Sequence, residues 1–336
     1  MPAEWTPHRG TWITWPSEKN DSFKNRPPSV LRTFRRLIVE LARHEPVFIN
    51  VWDETMAEEV QSYLSLPQEL ASAVSLHIHP AYEPWCRDYG PVFIVNPNSG
   101  QKAIVDWDYN AWGGKYPPYD LDNTVPRHIA KLRDLPRFEP NMILEGGSID
   151  VNGSGLLLTT EQCLLHPNRN PDLTRDDIEA RLKDYLGADE IVWLGEGIVG
   201  DDTDGHVDDI TRFVNPSTIV TVIEPDPADP NHQPLQDNRH RLETFRRQSQ
   251  RDLRIVELPM PRPVSQEGIR LPASYANFYL ANKIAIVPTF DDPHDTKALN
   301  ILQELLPERK VVGIDSRELI WGLGSFHCLT QQEPLP

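Results

Sequence analysis

Two short polar runs bring together side chains that could make and break bonds. The glycine-rich approach Gly322-Leu-Gly-Ser-Phe-His-Cys328 places a thiol directly after His327. Only a thiolate attacks carbon, and its surroundings decide how much thiolate exists, so a thiol held among polar donors is a candidate nucleophile. A small buried residue with no chemical role is the other reading of Cys328. His206 and Asp208 share the run Gly200-Asp-Asp-Thr-Asp-Gly-His-Val-Asp-Asp209. In an extended segment, positions i and i+2 face the same side, which sets a proton carrier beside a carboxylate. The run departs from a calcium loop, because Gly200 stands where the first Asp belongs and Thr211 where the last Glu belongs. No H-x-x-x-H pair or Cys/His cluster is present to support a zinc site. A solvated acidic loop without function is the alternative here.

Two further runs supply carboxylates. Glu145 precedes Gly146-Gly147 at the start of an apolar segment. Glycines there let the backbone approach something closely, and burial between apolar neighbours would suit Glu145 to acid–base work. A solvated Glu at a glycine turn is the competing reading. In Glu83-Pro-Trp-Cys-Arg-Asp-Tyr-Gly-Pro91, Asp88 follows Trp85 by three residues. A carboxylate accepts two parallel hydrogen bonds from a planar cation, and an indole face attracts the same cation. An Arg87–Asp88 pair stapling a turn would also fit. A thiol, an imidazole and several carboxylates together suit nucleophilic attack on an electron-poor carbon that carboxylates hold in place. Such a site repels anionic substrates and accepts a guanidinium.

The elements that must position these residues are hairpins and helices in alternation. Pro91–Asn96 with Lys102–Trp107, Gly147–Val151 with Leu156–Thr160, Ile210–Val214 with Thr218–Ile223, and Ala276–Leu280 with Ile284–Val287 each join two apolar, β-branched runs through turn residues. The turns recur about every 60 residues, which predicts a modular architecture with room for about five units arranged radially. Helical periodicity lies between them, over Ser29–His44, Glu54–Leu64, Thr174–Leu186, Asp237–Gln250 and Lys297–Leu306. Thr174 is predicted to cap its helix and Gly187 to end it. No composition break divides the chain, so a single domain over 1–336 is expected. A doubly wound parallel sheet is disfavoured by so many antiparallel hairpins.

Bulk composition narrows the partners. The 336 residues carry 33 Lys plus Arg against 50 Asp plus Glu, a net charge of −17. An acidic surface disfavours nucleic acid and anionic membranes and draws cationic small molecules. Cys86, Cys163 and Cys328 are too few and too odd in number for a disulfide framework, so a reducing, cytoplasmic compartment is expected. The opening Met-Pro-Ala-Glu-Trp-Thr-Pro7 has neither the basic start nor the apolar stretch of a signal peptide.

These motifs, taken in order, carry a resemblance. The opening Met-Pro-Ala-Glu-Trp-Thr-Pro-His8 with Trp12 and Trp15, Trp85-Cys-Arg-Asp-Tyr-Gly-Pro91, Glu145-Gly-Gly-Ser148, Thr203-Asp-Gly-His-Val-Asp208 and Phe326-His-Cys-Leu-Thr-Gln-Gln-Glu-Pro334 span the chain from end to end. The chain resembles the agmatine deiminases and the related bacterial peptidyl-arginine deiminases of the guanidine-modifying (pentein) superfamily. The resemblance implies an α/β fold, a five-bladed α/β propeller of ββαβ-type modules with pseudo-fivefold symmetry around a substrate channel. It implies that Cys328 attacks the guanidinium carbon while Asp88 and Asp208 hold the guanidinium nitrogens. His206 would protonate departing ammonia and then activate water, and Glu145 would orient His206. The intermediate would be a covalent thiouronium, formed without cofactor or metal. Agmatine is the substrate this implies, with polyamine synthesis as its setting and a homodimer as the assembly. Trp85 would pack on the guanidinium, and Asp202, four residues before His206, would meet agmatine's second cation. Free or peptidyl arginine, or amidino transfer to an amine, are the alternatives. Enzymes of peptidyl arginine use a positive group to hold a terminal carboxylate, and none is identified in the sequence.

Overall fold

Apolar runs joined by tight turns fold back as antiparallel hairpins, and each hairpin is followed by a helix that returns the chain to a parallel strand. The computed structural model describes residues 1–19, 22–23 and 27–336. Val92–Val95 pairs antiparallel with Lys102–Val105, which pairs parallel with Arg137–Phe138 after the helix Val125–Arg133. The same order recurs in Asp150–Val151, Leu156–Thr160 and Glu190–Leu194 around the helix Arg175–Leu186. It recurs in Thr211–Asn215, Thr218–Ile223 and Arg254–Pro259 around His232–Gln248. It recurs again in Tyr279–Ala281, Ile284–Thr289 and Lys310–Asp315 around Asp295–Leu305.

A remaining sheet follows the same rule with strands from far apart in the chain. Thr330–Pro334 pairs antiparallel with His8–Thr14, and His8–Thr14 pairs parallel with Val47–Val51 across the helix Pro28–Ala42. Val74–Ile78 extends that sheet beyond the helix Glu54–Leu64. A short unpredicted hairpin, Ser265–Gln266 with Ile269–Arg270, lies outside the five sheets. The fold is mixed α/β. No helix among the described residues is long and apolar enough to cross a membrane.

All four predicted hairpins and all five predicted helices form, with shifted ends. Thr174 caps its helix in a capping box with Asp177, and Gly187 ends it in the left-handed conformation. The helix expected from Asp237 begins at His232, because Pro234 falls in the first turn, where its missing N–H costs nothing. Two strands are shorter than their apolar runs suggest. Gly146–Ser148 forms a 3-10 turn before Asp150, and the run 276–278 leaves the sheet before Tyr279. Both departures carry backbone or side chains into the candidate site.

The core is shared between neighbouring sheets. Trp12, Ile49, Tyr89, Ile284 and Leu329 pack in one buried cluster, and Leu158, Val220, Phe278 and Val287 in another. Burial of this extent stabilises roughly 25 cal/mol per Å2 of apolar surface removed from water. That rigid frame holds the loops described next.

Candidate active site

The thiol sits at the inner end of a cavity of about 150 Å3. Cys328 occupies the four-residue helix Phe326–Leu329 and is 5% exposed. Trp85, Trp112 and Tyr116 wall the cavity, Asp88 shares its buried end, and Asp202, Thr203 and the exposed Trp321 stand towards solvent. The glycine-rich approach has a steric cause: a Cβ on Gly322 or Gly324 would come within 2.7 or 2.6 Å of the Trp85 ring. Trp85 is thereby clamped, and its Nε1 donates to Ser22 Oγ at 2.9 Å.

Asn277 grips the nucleophile. Its Nδ2 lies 3.0 Å from Cys328 Sγ and 3.0 Å from Asp209 Oδ1, while its Oδ1 accepts from the backbone N–H of His327 at 3.0 Å. Cys328 Sγ in turn lies 3.7 Å from Asp208 Oδ2. Burial pushes the Cys328 thiol well above its ordinary range, and Asp208, Asp209 and Asp88 push it further. Both effects favour the neutral thiol over the thiolate. A cation entering between these carboxylates would offset the same repulsion and favour thiolate.

The carboxylates are held by specific donors and keep particular oxygens free. Asp88 Oδ2 accepts from Trp112 Nε1 at 2.9 Å and Oδ1 from the backbone N–H of Gly147 at 3.0 Å. Burial raises the Asp88 carboxyl to about 6, with His206 opposing and Asp208 adding to the rise. Asp208 Oδ2 pairs with His327 Nδ1 at 2.6 Å, whereas its Oδ1 has no hydrogen-bond partner among the described residues. Burial works against the Asp208 charge, but His327, His206 and Arg212 outweigh it and hold the group below the usual carboxylate range.

His206 is fully buried and stands 3.7 Å from Asp88 Oδ1. Neither ring nitrogen has a hydrogen-bond partner among the described residues. Burial disfavours its charged form, yet Asp88, Cys163 and Asp208 raise it well above the ordinary histidine value. The extended geometry expected for His206 and Asp208 is not found: Val207–Asp209 is a 3-10 turn, because Gly205 is left-handed and its backbone N–H and that of His206 both donate to Asp201 Oδ2. The two residues still meet around Gly147, whose Cβ would lie 2.6 Å from His206 Nδ1 and 3.1 Å from Asp208 Oδ2. The close backbone approach expected of Gly146-Gly147 is thus real.

Glu145 is fully buried and paired with Arg169, whose Nε lies 2.6 Å from Oε1; Oε2 has no partner among the described residues. Glu145, His206 and Cys163 present ligand atoms within 4.8 Å of one another, close enough to hold a metal ion. Sequence spacing hides this grouping, since its members come from three separate segments, Cys163 from the short helix Glu161–Leu164. The Arg169 guanidinium already supplies the cation that Glu145 faces. The predicted residues therefore converge, with Asp208, His206 and Glu145 standing behind the cavity lining.

Several partners escape sequence reading. Trp112 lies in the left-handed turn Ala111–Gly114, where Ala111 and Trp112 both have positive φ. That conformation costs roughly 1–2 kcal/mol per non-glycine residue and persists only where the surroundings impose it. Gly113-Gly114 after a Trp was the available signal. Glu4 receives His327 Nε2 at 2.8 Å, Arg212 Nη2 at 3.0 Å, Arg87 Nη2 at 3.2 Å and the Leu280 N–H at 2.7 Å. Burial alone would raise the Glu4 carboxyl, but Arg212, His327 and Arg87 hold it far below its usual range. Arg87 thus serves Glu4 and Gln332 and does not staple Asp88.

Known proteins are similar to this chain over its whole length. A family model described as Porphyromonas-type peptidyl-arginine deiminase matches residues 1–334. The agmatine deiminase of Ectopseudomonas mendocina is 38% identical over 359 aligned positions, covering 100% of this chain and 95% of the relative. A Cys-to-Ser agmatine deiminase of C. jejuni with substrate bound superposes with a TM-score of 0.90 at 31% identity, covering 99% of this chain and 95% of that one. The agmatine deiminase of Enterococcus faecalis gives 0.92 at 32% identity, with 100% and 95% covered.

Proposed function

The chain belongs to the Porphyromonas-type peptidyl-arginine deiminase family, and from that premise we propose that it hydrolyses the guanidinium group of agmatine to N-carbamoylputrescine and ammonia. The observation that carries the reading is the pairing of Cys328 with Asp88 at the buried end of one cavity, with Asp208 Oδ2 3.7 Å from the sulfur and Asp208 Oδ1 without a hydrogen-bond partner among the described residues. Two carboxylates flanking a thiol suit a planar cation whose central carbon must be attacked.

In this reading Asp88 and Asp208 Oδ1 accept the guanidinium N–H groups, the bound cation favours the Cys328 thiolate, and the thiol proton passes to solvent, to return when the product leaves. The sulfur forms a bond to the central carbon, giving a neutral tetrahedral adduct. Protonated His206 passes its proton to one nitrogen, the C–N bond breaks, and ammonia leaves behind a cationic thiouronium on Cys328. Neutral His206 then takes a proton from water as the oxygen bonds to carbon. The C–S bond breaks, thiolate returns, and the proton remaining on the ureido product leaves with ammonia as ammonium. Glu145, tied to Arg169, keeps a carboxylate near the imidazolium, as the third member of a triad does. Trp85 and Trp112 face the methylene chain. Asp202 takes the distal ammonium.

Five sheets of one strand order support a five-bladed α/β propeller around this cavity. Site residues drawn from Glu4 to Cys328 support one catalytic domain over 1–336. Three free buried cysteines fit a reducing cytoplasm.

The test is release of ammonia and ureido product from agmatine, free arginine and a C-terminal-arginine peptide, with Cys328→Ala in parallel. Turnover of agmatine that Cys328→Ala abolishes is the expected result. Turnover of arginine or peptide in its place overturns the substrate, and turnover that survives Cys328→Ala overturns the mechanism.

A further inference from the structure

The carboxylate assigned to the distal ammonium already has a cation beside it. Lys115 Nζ lies 3.4 Å from Asp202 Oδ1, 2.9 Å from Asp204 Oδ1 and 2.5 Å from the Asp202 carbonyl oxygen. Tyr116 adds a hydroxyl bond to Asp202. Asp204 has other partners as well: Arg169 Nη1 at 2.8 Å and Asn168 Nδ2 at 3.0 Å. Lys115 directly follows the left-handed turn of Trp112, and its backbone N–H returns to Ala111. The turn that fixes Trp112 on Asp88 therefore also delivers an ammonium to the cavity's outer end, where Asp202 lines the wall.

We propose that Lys115 is a specificity-determining residue: an internal counter-cation that sets which tail charge the site accepts. The inference rests on the guanidine-hydrolysis reading above. A substrate with a cationic tail must share Asp202 with Lys115, which weakens its binding. A substrate with an anionic tail finds in Lys115 a positive group that the sequence alone did not reveal. A neutral tail is indifferent to the exchange. The side chains of Lys115 and Asp202 are 28% and 38% exposed, so water and salt screen the effect. A change of about two- to fivefold per substrate is the scale for such a pair. Lys115 also ties two loops together, and a tether without selectivity would affect every guanidine alike.

The experiment compares kcat/KM for agmatine, n-butylguanidine and 4-guanidinobutyrate, whose tails are cationic, neutral and anionic. Lys115→Met keeps the aliphatic stem and removes the charge. The expected result is a gain of about two- to fivefold for agmatine relative to n-butylguanidine and a similar loss for 4-guanidinobutyrate. Lys115→Arg restores the wild-type ratios. In an Asp202→Asn background the gain on agmatine shrinks, because only direct repulsion by Lys115 is left to relieve. Equal shifts on all three substrates, or a gain on agmatine undiminished in Asp202→Asn, overturn the inference and leave guanidine hydrolysis standing. Wild type inert towards all three overturns the hydrolysis reading and the inference with it.

Discussion

Replacing Glu4 by Gln removes one charge far from the nucleophile in sequence and adjacent to its scaffold in space. Glu4 is 4% exposed and answers Arg212, Arg87 and His327 together. Gln keeps the shape but leaves two buried guanidinium groups with less compensation. Breaking a buried ion pair from one side costs about 3–5 kcal/mol. At an unfolding entropy of about 2.1 cal/mol/K per residue, 336 residues give roughly 0.7 kcal/mol/K. The melting temperature should therefore fall by about 4–7 °C at neutral pH. Activity should fall as well, because His327 loses the partner that aims its other nitrogen at Asp208. The pH dependence follows from the sign of the shift. The Glu4 carboxyl is held below its ordinary value of 4.5, so its contribution is present above that value and is lost as pH falls towards the folded one. The difference between wild type and Glu4→Gln should narrow below about pH 4. The assay is thermal unfolding at fixed scan rate from pH 3 to 8, with ammonia release as the activity readout. A melting temperature within about 1 °C of wild type at pH 7, with kcat/KM unchanged, would refute the reasoning.

Two other predictions are independent of that one. Asp88 must be ionised to hold a guanidinium, and its carboxyl is raised to about 6, so kcat/KM should decline as pH falls through that value. Trp112→Phe removes a bond that favours the ionised form and should move this acid limb to higher pH; an unmoved limb argues against the role given to Trp112. Gly147→Ala would drive a methyl group to within 2.6 Å of His206 Nδ1 and 2.8 Å of Asp88 Oδ1. A misplacement on that scale costs about 100-fold in turnover, and a folded Gly147→Ala protein with wild-type kcat contradicts the described packing.

The reactive residues were legible in the sequence because each lies in a short polar run beside a strand end. Their partners were not, because those bonds cross the chain. Asn277 interrupts an apolar run and reads as a strand residue, yet it leaves the sheet to hold Cys328 and Asp209. His327 was noticed only as the neighbour of Cys328, and its two carboxylate partners come from Asp208 and Glu4. The i, i+2 argument for His206 and Asp208 assumed an extended backbone, whereas bonds to Asp201 coil that segment. The hairpins and helices were legible because two- and 3.6-residue periodicities are local. Two strands end early where Gly146–Ser148 and the run 276–278 turn inwards to serve the site.

The pairing of His8–Thr14 with Thr330–Pro334 has a consequence for folding order. Loop-closure entropy must be met before contacts so distant in sequence can reward it, and long-range strand pairing is intrinsically slow. Glu4 and His327 are 323 positions apart. The four hairpin-led sheets can form from nearby residues, whereas the Glu4–His327–Asp208 chain awaits this long-range closure. Catalytic competence is therefore a late event on the folding pathway. A partly folded molecule that has secondary structure but lacks this closure leaves Cys328 beside an Asp208 without its Glu4-anchored partner. Recovery of activity after dilution from denaturant should accordingly lag behind recovery of the far-ultraviolet circular dichroism signal.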